Sequence, residues 1–167
     1  MSGRSAEGGP APRAVAVHLN RLDEWDELRG LEEVLHAAAV ATLASSDHPP
    51  EGELSITFVG DDELRGLNRR YLGRDRTTDV IAFELGEENR LLGDVYISPA
   101  AALRSAASER ITLRSELIRL VVHGTLHTLG HDHPEDASRW RSPMFELQER
   151  LVRRVSGEEP TAASDTE

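Results

Sequence analysis

Apolar and polar positions change period several times along the 167 residues, and each change marks an element. Residues 14–19 set Val15, Val17 and Leu19 at alternate positions, which predicts a short strand. From residue 22 or 23 to about 44, Leu28, Leu31, Val34, Leu35 and Ala38 keep helical spacing, which predicts one helix. The polar, proline-bearing residues 45–52 read as a loop. Leu54, Ile56 and Phe58 then alternate through a second strand over 54–59. Asp61 is placed to cap a short helix with Leu64, Leu67 and Tyr71 on its buried face, and Gly73 to close it. Residues 79–83 form a third strand, 86–89 a turn, and 91–98 a fourth; so short a link predicts an antiparallel pair. Pro99 opens a helix to about 108, a second helix covers 113–129, and a third 137–155 carries Met144, Leu147, Leu151 and Val155 as its stripe.

The order β-α-β-α-β-β-α-α-α predicts an α+β single domain, with a four-stranded mixed sheet and about five helices packed on it. It spans 14–156, between a glycine- and proline-rich tail at 1–13 and an acidic tail at 157–167, both expected to be disordered. There is no cysteine, so disulfides and thiolate ligands are excluded. No apolar run is long enough to cross a bilayer, and residues 1–13 lack the apolar core of a signal peptide, so a cytoplasmic location without membrane contact is expected.

Four of the seven histidines fall between residues 123 and 133, and they change the picture from fold to chemistry. His123 and His127 are one turn apart on the helix after the apolar run 117–122, so their imidazoles share a face. Gly130 ends that helix and lets the chain turn back, bringing His133 toward the pair. Three such nitrogens make an open zinc site. His131 is the rival third ligand, but on a straight helix it stands about 12 Å along the axis from His123, too far for bonds of roughly 2 Å. It is expected at the rim, and Met144 in the core. The spacing matches the extended zinc-protease signature with one departure: Gly124 stands where those enzymes carry a glutamate general base. Peptide hydrolysis is disfavoured.

The net charge of −11 argues against a polyanionic partner until its distribution is seen. Every basic residue is arginine, and Arg65, Arg69, Arg70, Arg74 and Arg76 stand together with only Asp75 among them. Arginine's planar fork suits phosphate oxygens, which makes this segment a candidate dock for a polyanion or simply a solvated helix face. Asp132, between two histidines, either orients a ligand imidazole and moves a proton or caps the turn. Glu116 lies on the ligand face but about 10 Å up the helix, where a salt bridge is its expected role. Asp94 is a further acid that the fold could bring near.

Four stretches resemble the YbeY-type rRNA maturation factors, single-domain zinc-dependent endoribonucleases of bacteria. They are Leu67-Asn68-Arg69-Arg70-Tyr71 with Asp75, then Thr78-Asp79-Val80-Ile81-Ala82-Phe83, then Gly93-Asp94-Val95-Tyr96-Ile97-Ser98, and finally the segment from Val121 to His133. Met144-Phe145-Glu146-Leu147-Gln148 is similar to that family's closing helix. The resemblance implies one zinc ion per chain on His123, His127 and His133. It also implies processing at the 3′ end of small-subunit rRNA and ribosome quality control, with ribosomal RNA, ribosomal subunits and ribosome-associated proteins as partners. The expected RNA contacts are Arg69, Arg70, Arg74 and Arg76, and the catalytic candidates are Asp132 and Arg74. Many members carry arginine where Leu72 stands here; Thr77 and Thr128 replace a common proline and leucine. Two other readings remain: a ribosome-assembly factor with structural zinc, and a metallohydrolase acting on peptides or small molecules.

Overall fold

Leu54, Ile56 and Phe58 are fully buried, while Ser55 and Thr57 on the opposite face receive hydrogen bonds from the Asn20 side chain, at 2.7 and 3.3 Å. That alternation puts the strand in the middle of a sheet with one face against the main core. The computed structural model describes residues 14–47, 50–74, 78–87 and 90–157. Its strands are β1 (Val15–Asn20), β2 (Glu51–Phe58), β3 (Val80–Glu84) and β4 (Arg90–Ile97), and its helices α1 (Glu32–Ala44), α2 (Asp61–Leu72), α3 (Pro99–Glu109), α4 (Leu113–Thr128) and α5 (Pro143–Ser156). The sheet order is β1-β2-β4-β3. β1, β2 and β4 run parallel and β3 pairs antiparallel with β4, so the sheet is mixed.

The α4 helix is the centre of the molecule. Leu117, Ile118, Val121, Val122 and Leu126 are fully buried against α1, α3, α5 and the β3–β4 ribbon. Each such side chain contributes about 1.5–3 kcal/mol on leaving water. Thr112 caps the helix, accepting the Ser115 N–H at 3.1 Å. Gly124 explains how α4 comes so close to the sheet. A Cβ built there would lie 2.6 Å from Cγ1 of Val95 on β4, far inside ordinary carbon contact. The residue that departs from the protease signature therefore also lets helix and sheet approach, as Gly93 does on β4, where a Cβ would lie 3.0 Å from Thr128.

The predicted architecture is the one observed, with local differences. The helix expected over 22–44 is two short 3₁₀ turns, Leu22–Glu24 and Asp26–Leu28, followed by α1; Trp25 is extended between them and Gly30 has φ +81°. The helix expected over 137–155 is likewise broken. Pro143 cannot continue a helix, and it forces the preceding Ser142 to extended backbone (ψ 152°). A 3₁₀ turn at Ala137–Arg141 precedes the break and α5 follows it, with Ser142 as its cap. Gly60, not Asp61, is the N-cap of α2; the Asp61 carboxylate instead bonds Ser98 (2.7 Å) and Arg104 (2.8 Å), which hold its pKa low. Tyr71, expected in the core, is 60 % exposed because α2 buries only Leu64 and Asn68. β2 begins at Glu51, so the loop before it is shorter than expected. The N-terminal tail, the C-terminal tail after Gly157, His48, Asp75, Arg76 and Thr77 lie outside the described residues.

Candidate metal centre

The last turn of α4 closes in a Schellman motif. The His131 N–H donates to the Leu126 carbonyl and the Gly130 N–H to that of His127, both at 3.1 Å, while Gly130 takes φ +92°. Gly130 is the position where a side chain would be strained. Beyond it the chain folds back, and His123, His127 and His133 converge with ligand atoms within 4.8 Å of one another. Ring centroids are 4.6 Å apart for His123–His127, and 5.2 Å for each with His133.

Every one of the three rings has its Nδ1 against an oxygen. His123 Nδ1 faces Gln148 Oε1 at 2.7 Å, His127 Nδ1 the His131 carbonyl at 3.0 Å, and His133 Nδ1 the Pro134 carbonyl at 2.9 Å. These oxygens only accept, so each Nδ1 carries the proton and donates it, and each Nε2 keeps a free lone pair. The Gln148 amide is fixed the right way round by its Nε2, which points at Glu149 Oε1 at 3.4 Å. The lone pairs of His123 and His127 then face each other at 3.1 Å. Two imidazole nitrogens on tetrahedral zinc stand about 3.3 Å apart. The donor set thus fits a borderline cation such as zinc, and the Nδ1 partners are the outer contacts that orient metal-binding imidazoles.

Electrostatics favour the ligand form of the rings. Burial pushes the His123 pKa below the ordinary histidine value, against the upward pull of Gln148. His127 is lowered to about 4, first by burial and then by His123 and His133. Both rings are therefore neutral at pH 7.

His131 enters the site through its backbone carbonyl, and its ring stands outside the cluster. Asp132 accepts the His133 N–H at 2.8 Å, which is the turn-capping geometry. Asp94 is tied to the Tyr96 hydroxyl at 3.1 Å on the sheet, away from the histidine group. Arg74 reaches the loop behind the histidines, pairing with Glu135 at 2.9 Å. Arg69 and Arg70 occupy the exposed side of α2, with Arg70 over the Tyr71 ring at 5.9 Å, and Arg76 lies outside the described residues.

Gln148 is the contact that sequence reasoning missed. It falls in the stretch similar to the family's closing helix, where nothing in the spacing assigns it a role. Its signal is faint: one amide among the buried positions of α5, next to Glu149. Behind it Glu149 takes a two-pronged bond from Arg119 (2.9 and 3.2 Å), and Arg119 also faces Glu116 at 3.7 Å. Burial raises the Glu149 pKa, but the Arg119 bonds outweigh it and leave the group low. Glu116 goes the other way, raised by burial more than Arg119 can offset. An open cleft of about 750 Å³ runs from His123 and His133 past this network.

The fold and the site define a small α+β protein with an open three-imidazole centre at a helix C-terminus. Residues 20–156 match the family model described as Endoribonuclease YbeY. A protein of that name from Geobacillus kaustophilus is 35 % identical over 154 residues, spanning 84 % of this chain and 97 % of its own. Another from Anaeromyxobacter sp. (strain Fw109-5) is 45 % identical over 116 residues, 66 % of this chain and 58 % of its own. The solution structure of TM1509 from Thermotoga maritima superposes with a TM-score of 0.56 at 27 % identity, covering 90 % of this chain and 99 % of that one. The chain belongs to the YbeY endoribonuclease family.

Proposed function

We propose that this protein is a zinc-dependent endoribonuclease that cuts single-stranded RNA during maturation of the 3′ end of small-subunit rRNA and in ribosome quality control. It works in the cytoplasm on ribosomal RNA and ribosomal subunits, together with ribosome-associated proteins. Its folded domain is residues 14–156. The observation that carries the reading is the convergence of three imidazoles whose Nδ1 protons are all committed to oxygen.

His123, His127 and His133 would hold one zinc ion, which supplies Lewis-acid polarisation of a phosphoryl oxygen. The protein's own residues do the rest. Gln148 and the carbonyls of His131 and Pro134 hold the rings against rotation. Arg74 sits in an exposed ion pair, 47 % accessible, of a kind worth about 0–1 kcal/mol. Leaving Glu135 for a phosphate therefore costs little, and its fork supplies charge where Leu72 supplies none. Gly124 has no proton to move, and any side chain there would meet Val95. Asp132 holds its turn through Oδ1, which leaves its second oxygen to take the role of acceptor for a proton from the attacking water.

The test is cleavage of an rRNA precursor by purified protein as isolated, chelator-stripped, zinc-restored, and as the His127→Ala variant. The reading expects cleavage to vanish with the metal, return with zinc and be missing in the variant. Folded, zinc-loaded protein that binds ribosomal subunits and cuts nothing would instead be an assembly factor.

A further inference from the structure

The 3₁₀ turn at Ala137–Arg141 presents a tryptophan that the fold does not use. Trp140 is 55 % exposed and is absent from the hydrophobic core, although it is one of only two tryptophans in the chain. It is nonetheless held firmly. Phe145, on the first turn of α5, meets it edge-to-face at 5.2 Å, and the Arg139 guanidinium lies over its ring at 4.3 Å. The turn itself is pinned at both ends, by Asp136 accepting the Ser138 N–H at 2.8 Å and by Ser142, whose hydroxyl bonds the Arg139 carbonyl at 2.7 Å. A rigid, exposed aromatic with a planar cation beside it is the arrangement that proteins use to stack unpaired bases.

Its position gives it a substrate. Trp140, Arg139 and Phe145 line the same cleft of about 750 Å³ as His123 and His133. Asp79, Glu109 and Glu116 also line that cleft, and these acids repel phosphate. A strand entering it therefore keeps its backbone toward the arginine side and turns a base inward. Deepening the endoribonuclease reading, and resting on it, we propose that Trp140 and Arg139 form a stacking subsite. The subsite takes one unpaired nucleobase beside the scissile phosphate, the base replacing the Arg139 guanidinium over the Trp140 ring and Arg139 turning to the phosphate. The subsite fixes which nucleotide lies next to the cut and admits only strands whose bases are free to splay out.

The test uses the full chain, metal-free, and a labelled oligoadenylate of about ten nucleotides. Affinity comes from anisotropy and stacking from quenching of indole emission. Trp140→Ala is expected to weaken binding roughly 5- to 150-fold, the range for loss of one stacked base. Trp140→Phe retains most of the affinity but loses the quenching. In cleavage by the zinc-loaded protein, Trp140→Ala raises KM with kcat largely kept. One abasic nucleotide at the stacked position penalises wild type and leaves Trp140→Ala unaffected. Wild-type binding and cleavage matched by Trp140→Ala would overturn the subsite and leave the nuclease reading standing. A wild type that neither binds nor cuts RNA would take both down together.

Discussion

Gly124→Ala is the smallest change that probes the contact between α4 and the sheet. The added methyl would lie 2.6 Å from Val95 Cγ1, 3.3 Å from its Cγ2 and 3.4 Å from Val80 Cγ2. Ordinary carbon contacts fall at about 3.5–4.0 Å, so the overlap with Cγ1 is roughly 1 Å. Val95 is fully buried and cannot rotate away freely, so helix and strand must part. Overpacking of this kind costs about 1–3 kcal/mol, while replacing glycine in a helix interior returns up to about 1 kcal/mol. The expected net loss is about 1–2 kcal/mol in urea unfolding of the metal-free protein. Val95→Ala alone should cost about 2 kcal/mol as a cavity. Together they should do better than their sum, since the truncated valine makes room for the new methyl, with a favourable coupling of about 1 kcal/mol or more. Strictly additive losses would refute the claim that this contact explains the glycine. The same geometry predicts that Gly124→Glu destabilises the protein and gives no general base, because its side chain starts into the sheet.

Three further outcomes follow from the site. Gln148→Leu removes the acceptor that holds His123 Nδ1, and zinc affinity by chelator competition should fall about 10- to 100-fold; an unchanged affinity would show that the ring needs no such partner. Without metal, His127 titrates near 4 when folded and near 6.5 when unfolded, so the unfolded chain binds the extra proton between those values and stability falls as pH drops through that window. After allowance for solvent screening of a partly exposed ring the loss is about 2 kcal/mol, and urea midpoints for His127→Gln should show a flatter pH profile than wild type. Arg74→Ala should leave stability within about 0.5 kcal/mol, the pair with Glu135 being exposed, yet lower kcat on RNA by about 100-fold. Equal turnover would remove Arg74 from the chemistry.

What the sequence made legible was what short-range spacing encodes. The His123–His127 pair and the Gly130 turn are local facts of helix geometry, and the Schellman closure is where they put it. Strand alternation was equally plain in Leu54, Ile56 and Phe58, and the short link after β3 announced the antiparallel pair. The misreadings share a cause. Helical spacing was carried through Trp25–Gly30 and through Ser142–Pro143, where backbone restrictions override an apolar stripe that continues in the sequence. Tyr71 keeps the period of α2 but stays 60 % exposed, meeting Phe83 only edge-on at 5.7 Å. Gln148, Glu135 and Trp140 were hidden for another reason. Their meaning comes from α5 and the loop after α4 folding back across distances of 25 and 61 residues, as in His123–Gln148 and Arg74–Glu135. No periodicity reports such contacts.

The chemistry of this protein depends on the three imidazoles acting as one metal site, and zinc titration of metal-free protein by calorimetry tests that most directly. Wild type should bind one equivalent tightly, and His123→Ala, His127→Ala and His133→Ala should each lose most of that affinity. His131→Ala should keep it, since His131 contributes its carbonyl and not its ring. Loss on replacing His131 with retention on replacing His133, or binding indifferent to all four, would contradict the site described here.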